Sequence, residues 1–564
     1  MNTEILGVVA MFLITLLLAI PFGKYISKVY TGEKTFLDPV FKPVEKFFYK
    51  ISGINPDYEM NWKQHLTALL TINFLWFFIS MLILMNISWL PLNPDGNPDM
   101  SPDLAFNTTI SFLVNCNLQH YSGETGISYL GQIWLMFLQF VSAATGIAAS
   151  IVVFKAFREK STEKLGNFYD YFLKSTTRIL LPLSFLMGAV MVFQGMPMTF
   201  NGKDKMITLE GENVEVSTGP VAAFVPIKHV GTNGGGFFGA NGSHPLENPN
   251  YFTNMVEMFA QLIIPMAMVF AFGYFIRRKK FGYMIFGVMT VGFLLLAVPT
   301  VIMEMNGNPA ISQMGIDQSL GAMEGKEVRF GSAASGFWSI VTTVISTGSV
   351  NSMHDSAMPL SGMTQMLAMM VNAFYGGDGA GILNIFIYII LAVFISGLMV
   401  GRTPEFMGKK IEAREMKIAM IVALFHPFLI LAGTAIATYF PDLGTSTLNN
   451  PGFHGFSEVL YEYTSSAANN GSGFEGLGDN NLFWNISTGI VLLLGRFLPI
   501  IGPVAIAGLL AKKKYIPEGE GTLKTDTSTF GLMTFAVIAI IAALSFFPAL
   551  ALGPIAEYFS MKSL

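Results

Sequence analysis

Apolar residues in this chain are gathered into ten blocks of about 20 residues, with polar segments between them. A helix needs roughly 20 apolar residues to cross the hydrocarbon core of a bilayer, so each block predicts a membrane helix. The pattern therefore predicts an all-α polytopic membrane protein. The ten blocks lie at 5–23, 66–88, 132–154, 177–195, 254–276, 283–303, 381–400, 415–438, 485–511 and 529–552.

The first block can also be interpreted as a secretory signal. Against this, Glu4 stands directly before it where a signal would have basic residues, and Lys24 and Lys28 follow it. We favour a retained first membrane helix.

Four shorter semi-apolar stretches lie between the blocks, near 104–116, 221–232, 335–347 and 456–468. Each is too short to span a membrane and ends in a cluster of Gly, Asn, Ser or Thr. Equating Asn117, Gly234, Gly348 and Gly471 gives intervals of 117, 114 and 123 residues. Similar intervals indicate a repeated supersecondary unit.

We therefore predict four pseudo-repeated helix–pore-loop–helix units around one pore, with one extra helix at each end. Other interpretations of a single cluster are a glycine-rich turn or a small-residue helix contact. The predicted units are the N-terminal helix 1–30, the repeats 60–158, 172–280, 281–401 and 413–514, and the C-terminal helix 525–564.

Basic residues predict the orientation. If the N-terminus is outside, 26 of the 33 Lys and Arg residues fall in the inside loops 24–65, 155–178, 277–280, 402–417 and 512–524. The positive-inside rule favours this arrangement, which places both termini and all four clusters outside. Six basic residues are then predicted outside: Lys203, Lys205, Lys228, Lys326, Arg329 and Lys562.

Composition supports the membrane assignment. Of the 564 residues, 52% are hydrophobic and 12% are charged, against about 25% charged in soluble domains. The formal charge of −4 gives no indication of nucleic-acid binding, and the single Cys116 cannot form an internal disulfide.

The clusters have the chemistry of a monovalent-cation filter. Non-helical backbone at membrane depth persists only where it is buried in protein or lines a water-filled path. Four such segments can direct carbonyl oxygens at one point and replace the hydration shell of an ion. Directing successive carbonyls the same way needs positive φ, which Gly adopts at no steric cost and Asn tolerates. We therefore expect positive φ at Asn117, Gly234, Gly348 and Gly471.

Polar residues flank the clusters: Gln119, His120 and Glu124; His244 and Glu247; His354 and Asp355; and Glu475. Acidic residues at an outer mouth would concentrate cations; the alternatives are helix caps or partners of external basic residues. The sequence has no HxxxH or HExxH spacing, so we interpret the histidines as loop-packing residues and not as a metal site.

Two features indicate control of the pore below the clusters. Arg496 lies near the middle of the ninth apolar block, where a charge is costly unless it faces a cavity or a partner; the alternative is neutralisation by helix-end carbonyls. The run that contains Gly376, Gly377 and Gly379 interrupts the helical pattern after the third cluster, and a hinge or gate and a plain loop are both open interpretations.

The sequence carries no GxxxxGK[ST] phosphate loop and no Asp-Lys-Thr-Gly segment. We also find no nucleophile–base pair or metal spacing in a predicted cavity, so a membrane-embedded enzyme is disfavoured. If this protein drives uphill transport with ATP, the ATP site is on another chain.

The clusters resemble those of the KdpA family, the potassium-binding subunit of the potassium-transporting ATPase, within a superfamily of potassium transporters. The resemblance covers essentially the whole chain. The matching stretches are Ser111–Glu124, Gly231–Phe238, His244–Pro249, Ser346–Asp355, Gly401–Glu405 and Ser466–Ser472.

The resemblance implies a subunit of a high-affinity, P-type import pump in the bacterial cell (inner) membrane. It would bind external potassium in a backbone-carbonyl filter and pass it sideways to a KdpB-like ATPase subunit that uses the ATP, alongside KdpC-like and KdpF-like small subunits. Potassium would be the transported substrate, without an organic cofactor. The alternative is a stand-alone channel or symporter related to the Trk and Ktr transporters.

The resemblance also assigns residues. Gln119 would influence selectivity, and Asp355 would flank the filter. Cys116 and Leu118 depart from relatives that carry Thr and Trp there. This matters little if the backbone carbonyl is the ligand, and it affects affinity if the hydroxyl binds the ion. The implied filter residues are Asn115, Cys116, Asn117, Thr232, Asn233, Gly234, Gly235, Ser346, Thr347, Gly348, Ser349, Asn469, Asn470 and Gly471.

Overall fold

The computed structural model describes residues 3–399, 401–517, 519 and 523–563. Within these residues, ten helices are long and apolar enough to cross a membrane, so the predicted all-α polytopic fold is confirmed. The predicted ends at residues 1, 400 and 564 lie outside the described residues. The ten helices are Glu4–Thr31, Trp62–Leu84, Tyr129–Arg158, Phe168–Phe193, Tyr251–Phe275, Lys279–Gln313, Gly381–Met399, Ala413–Tyr439, Leu482–Ala511 and Ser528–Met561.

Four short helices follow the second, fourth, sixth and eighth long helices. They are Pro102–Leu113, Val221–Val230, Gly331–Val344 and Phe453–Ala468. Each coincides with one of the predicted semi-apolar stretches. A long helix precedes and another follows each of them, which is the order expected for the repeated unit; the predicted unit boundaries stay an interpretation.

The third repeat contains an additional helix, Pro359–Val371. Non-helical backbone at 372–379 separates it from the seventh long helix. This break contains the predicted irregular glycine run. The strands of the described residues form two small antiparallel hairpins, Asp204–Ile207 with Asn213–Val216 and Glu405–Phe406 with Lys409–Lys410.

Burial separates central from peripheral helices. In the third and fifth long helices, 89% and 83% of the most apolar window is buried, against 22% in the first and 28% in the tenth. The first helix packs along the fifth, where a Cβ on Gly23 would lie 2.6 Å from the Ala267 carbonyl oxygen. The two terminal helices therefore flank the repeats, and the third and fifth lie at the centre.

Four of the five basic loops predicted inside contact one another at one end of the molecule. Lys155 Nζ lies 4.0 Å from Glu59 Oε1, and Lys512 Nζ lies 3.1 Å from Glu163 Oε1. Lys409 Nζ donates to the Ala156 carbonyl at 3.1 Å. These contacts join loops 24–65, 155–178, 402–417 and 512–524, so the four loops lie on the same side.

One helix within these loops was not predicted. Asp38–Ser52 is amphipathic, with exposed Phe47 and Ile51. Arg178 of the fourth long helix holds it in place, through Nε to Glu45 Oε1 at 2.5 Å and Nη1 to Asp38 Oδ1 at 2.7 Å.

Candidate ion-binding site

The four short helices end in the same backbone turn. The residue that closes each turn has positive φ, and the amide of the next residue donates to the carbonyl five residues before it. This is the hydrogen bond of a Schellman-type helix end. The closing residues are Asn115 (φ 65°), Thr232 (49°), Ser346 (52°) and Asn469 (52°). The hydrogen bonds run from Cys116 to Ser111 (3.0 Å), Asn233 to Lys228 (2.7 Å), Thr347 to Thr342 (2.9 Å) and Asn470 to Ser465 (2.9 Å).

A second positive φ follows in each segment. Asn117 (60°), Gly348 (84°) and Gly471 (103°) have the predicted geometry. In the second segment the prediction is wrong, because Gly235 (65°) and not Gly234 has the positive φ. The first segment forms hydrogen bonds with both the amide and the carbonyl of Gly234.

These two contacts on Gly234 are hydrogen bonds. Its amide donates to the Cys116 carbonyl at 2.8 Å. Asn117 Nδ2 donates to its carbonyl at 2.9 Å. The first and second segments are therefore directly joined.

The four segments converge on one point, and we call them the ring segments: 115–117, 232–235, 346–349 and 469–471. A Cβ on Gly234 would lie no more than 2.8 Å from three carbonyl oxygens, one from each other segment. These oxygens belong to Cys116, Thr347 and Asn470, the residues directly after the left-handed turns. Asn233 has the equivalent position in the second segment.

The glycines of the ring have no room for a side chain. A Cβ on Gly348 would collide with the Asn470 carbonyl, and one on Gly471 with the Cys116 carbonyl. These contacts place the fourth segment between the third and the first.

Hydrogen bonds and apolar packing of side chains hold the ring segments in position. Asn115 Oδ1 accepts from Ser142 Oγ at 2.8 Å and from Asn233 Nδ2 at 2.7 Å. Asn470 Nδ2 donates to the Thr342 carbonyl at 2.8 Å. The Cys116 side chain packs in a buried apolar cluster that contains Ile110, Val114, Leu118 and Leu492.

Lys228 is buried behind the second ring segment. Its Nζ donates to the Gly235 carbonyl at 3.0 Å and to Asn241 Oδ1 at 2.7 Å, and it forms an ion pair with Glu247. Lys228, one of the six basic residues predicted outside, lies on the second short helix with a fully buried side chain. Of the roles considered for Glu247, the structure shows pairing with a basic residue.

Gln119 and Asp355 differ in position. Gln119 Oε1 accepts from the Gly236 amide at 2.7 Å, so it braces the second segment. Asp355 lies 2.9 Å from His454 Nε2, and its amide donates to Glu475 Oε2 at 3.1 Å. Asp355 also lines a cavity of about 370 Å³.

Other flanking residues have structural contacts. Glu124 Oε2 accepts from the Gly239 amide at 2.7 Å. The His244 ring stacks on Phe238 with centroids 3.8 Å apart. His354 Nδ1 lies 2.8 Å from the Tyr461 hydroxyl. These contacts agree with the packing role expected for two of the histidines.

Arg496 lies beneath the ring. It lines a cavity of about 10 Å³ together with Asn115, Ser346, Asn469 and Gly377, about the smallest cavity that can hold one water molecule. Arg496 Nη2 donates to the Ser142 carbonyl at 3.1 Å. The structure thus brings the predicted control residue next to three of the turns that begin the ring segments.

The glycine run closes the same region. A Cβ on Gly377 would lie 2.9 Å from the Ile345 carbonyl and 3.1 Å from Thr232 Oγ1. Gly376 (59°) and Gly379 (80°) have positive φ, and the Gly379 carbonyl accepts from Ser150 Oγ at 2.6 Å. The run is packed tightly between the ring and the third long helix.

Asp378 of this run was missed by sequence reasoning. It is fully buried, and its amide donates to Thr232 Oγ1 at 2.8 Å. Within the described part of the chain, neither carboxylate oxygen has a hydrogen-bond partner. The positive charge that acts on it is that of Arg496. The sequence feature that could have indicated it is an acidic residue inside the glycine-rich break.

Comparison with known proteins gives the family. The model of the KdpA family, described as potassium-transporting ATPase A subunit, matches residues 9–559. This chain belongs to that family. The potassium-transporting ATPase potassium-binding subunit of Flavobacterium johnsoniae is 71% identical over the full length of both chains. The proteins of the same name in Phocaeicola vulgatus and Geobacillus kaustophilus are 61% and 48% identical, over 100% and 98% of both chains.

A solved structure shares the fold at low identity. The potassium transporter TrkH from Vibrio parahaemolyticus superposes with a TM-score of 0.52 and 13% identity, covering 87% of this chain and 96% of that one. The likeness relates this member of the KdpA family to TrkH in fold alone.

Proposed function

We propose that this chain is the potassium-binding, ion-selecting and translocating subunit of an ATP-driven potassium import pump. The observation that carries the proposal is the convergence of three carbonyl oxygens, from Cys116, Thr347 and Asn470, on one point beside Gly234. Family membership supports potassium as the ion, since the relatives are named as potassium-binding subunits.

The ring would bind potassium through uncharged dipoles. Carbonyl oxygens replace the water that a potassium ion loses on entry. The four short helices have their C-termini at the ring, and the helix dipole puts partial negative charge there. We assign the ligands to the carbonyls of Cys116, Asn233, Thr347 and Asn470, with the other ring residues holding them in position.

Arg496 would block the straight path to the cytoplasm. A fixed positive charge beneath the ring repels a cation that moves downward. An ion would then leave sideways toward a KdpB-like ATPase subunit, which hydrolyses the ATP. KdpC-like and KdpF-like subunits complete the proposed complex.

The proposed location is the bacterial cell (inner) membrane, with both termini outside. The contacts between the basic loops support a common cytoplasmic side for them. Cysteine labelling would test this: in Cys116→Ser chains, a cysteine at exposed Phe453 should react with an impermeant reagent in intact cells. A cysteine at exposed Phe47 should react only after the cells are opened.

The function is tested by purification and ATP hydrolysis. A tagged chain extracted in mild detergent should bring along an ATPase-sized subunit, and the complex should hydrolyse ATP faster as potassium rises. Gly471→Ala should lose the potassium response, because its Cβ collides with the Cys116 carbonyl. Gly452→Ala is the control, since it has positive φ and open surroundings.

The alternative is a stand-alone potassium channel or symporter of Trk/Ktr type, which the fold shared with TrkH favours. In that case the chain purifies alone, and it conducts potassium in liposomes without ATP.

A further inference from the structure

Three side chains with metal-ligating atoms meet near the first and fourth ring segments. His120 follows the first segment, Glu462 is on the fourth short helix, and Asp479 is in the loop before the ninth long helix. One ligand atom from each lies within 4.8 Å of the other two. The cluster joins two segments that already meet at the ring.

The His120 ring is oriented by a chain of hydrogen bonds. Asn485 Nδ2 donates to Asp103 Oδ2 at 2.8 Å, which leaves Asn485 Oδ1 as an acceptor. His120 Nδ1 lies 2.7 Å from that oxygen and therefore carries a hydrogen. The other nitrogen, Nε2, then faces the two carboxylates. Partners of this kind hold the ligating histidines of metal sites.

The separations fit a shared cation better than direct hydrogen bonds. His120 Nε2 is 3.5 Å from Glu462 Oε1 and 3.8 Å from Asp479 Oδ2. Strong hydrogen bonds between such groups are shorter, near 2.7–2.9 Å. Two ligands about 2.1 Å from one tetrahedral zinc ion are about 3.4 Å apart.

Two polar atoms of this cluster are buried and lack hydrogen-bond partners in the described part of the chain, and such atoms indicate a ligand. The His120 side chain is fully buried, and that of Glu462 is 2% exposed. Among the described residues, His120 Nε2 and Glu462 Oε1 have no hydrogen-bond partner. Asp479 is 29% exposed, so the cluster has an open side. Buried polar atoms without partners are rare, and an ion is one of the things that satisfies them.

A second histidine on the outer face provides a contrast. The two nitrogens of His454 lie 2.9 Å from Asp355 Oδ1 and 2.8 Å from Glu557 Oε1. Burial opposes the charged form, but these carboxylates outweigh it and raise the pKa of His454 to about 10. Both nitrogens of His454 are therefore occupied by carboxylates at hydrogen-bond distance. Among the described residues, only Nδ1 of His120 has a hydrogen-bond partner, Asn485 Oδ1.

We propose that His120, Glu462 and Asp479 bind a divalent transition-metal ion of the Zn²⁺ class. An imidazole nitrogen with two carboxylates suits such an ion, whereas a potassium filter uses oxygen ligands. Water would fill the remaining position on the Asp479 side. Without the metal, the two carboxylates can hold a proton on Nε2, and metal binding displaces it.

Cobalt binding to the purified full-length protein, with whatever subunits accompany it, tests the site. Co²⁺ in a site with few ligands should give visible absorption at one equivalent per chain, and Zn²⁺ should abolish it. Asp479→Asn should weaken Co²⁺ binding at least about tenfold, the usual effect of losing a partner at a metal site. Asp442→Asn, an exposed acid on the same predicted side, is the control and should bind normally.

His120→Gln is the second variant and should lose the band while the thermal unfolding of the metal-free protein stays close to wild type. The proposal is overturned if wild-type protein gives no Zn²⁺-displaceable band, or if Asp479→Asn and His120→Gln bind Co²⁺ as wild type does. The result does not depend on potassium transport, so it can fail while the proposed function stands.

If potassium transport is also measured, micromolar Zn²⁺ should slow uptake in liposomes, because a divalent charge beside the ring repels entering potassium. This second expectation rests on the proposed function. Asp479→Asn should be less sensitive to Zn²⁺ than Asp442→Asn. Equal sensitivity would remove the regulatory role, and the Co²⁺ measurement would still decide the site.

Discussion

The ring and the cavity beneath it are built from different chemistry. At the ring, uncharged backbone carbonyls of Cys116, Thr347 and Asn470 converge, and side chains serve as braces. Beneath the ring, the guanidinium of Arg496 lines the cavity, and buried Asp378 lies nearby. The upper region presents dipoles, and the lower one contains the full positive charge of Arg496.

This difference determines which substitutions each region tolerates. At the ring, side-chain chemistry matters less than the space for the backbone and the sign of φ, so non-glycine residues close all four turns. In the cavity, a charge fixed by a single side chain cannot be supplied by the backbone. We therefore expect steric changes to damage the ring, and charge changes to damage the cavity.

Among the four substitutions considered below, Gly348→Ala is expected to reduce potassium transport most. The residue has φ of 84°, and a Cβ would collide with the Asn470 carbonyl. Left-handed geometry alone costs an alanine roughly 1–2 kcal/mol, and displacement of a ligand carbonyl adds to that. We expect at least about a tenfold loss of apparent potassium affinity, measured by rubidium or potassium uptake. Gly195→Ala, with φ of 93° and open surroundings, carries the strain alone and should transport normally.

Gly234→Ala separates crowding from strain, because this residue lacks a positive φ. Its Cβ would still meet the carbonyls of Cys116, Thr347 and Asn470. We expect weakened affinity and poorer discrimination of potassium from sodium, with an effect smaller than that of Gly348→Ala. Competition uptake assays measure both. Wild-type affinity and selectivity would show that the point beside Gly234 is not used by the ion.

Arg496→Met changes charge in the cavity at similar volume. We expect passive, ATP-independent potassium flux through correctly assembled complex in liposomes, with ATP turnover poorly linked to transport. Arg496→Met also leaves the buried Asp378 carboxyl without the positive charge that acts on it, so Arg496→Met with Asp378→Asn is the better-assembled test. A leak-free double variant with normal transport would refute the barrier role.

Cys116→Thr is expected to change potassium transport least. The side chain packs in an apolar cluster while the carbonyl faces the ring. Apparent potassium affinity should change less than about twofold if the carbonyl is the ligand. A large gain in affinity, measured in the same uptake assay, would indicate that the threonine hydroxyl binds the ion.

The long helices, the short helices and the clusters were predictable because each depends on a local run of apolar or small residues. The positive φ of Thr232 was not, because a β-branched residue there is held by tertiary contacts such as the Asp378 amide. The burial of Lys228 depends on Glu247, a partner 19 residues away across a turn.

The amphipathic helix Asp38–Ser52 was missed for a different reason. Its apolar residues Val40, Val44, Phe47 and Ile51 recur at helical spacing, but lysines between them break any continuous apolar block. Searching for 20-residue blocks overlooks such a helix. The ion pairs with Arg178 that anchor it join distant parts of the chain.

Anomalous diffraction from crystals soaked in Tl⁺, a potassium substitute, would test the filter most directly. We expect a peak at the ring, within coordination distance of the Cys116, Asn233, Thr347 and Asn470 carbonyls, that fades when potassium competes. A peak displaced by potassium at another site, with none at the ring, would contradict the assignment of these carbonyls as the potassium ligands.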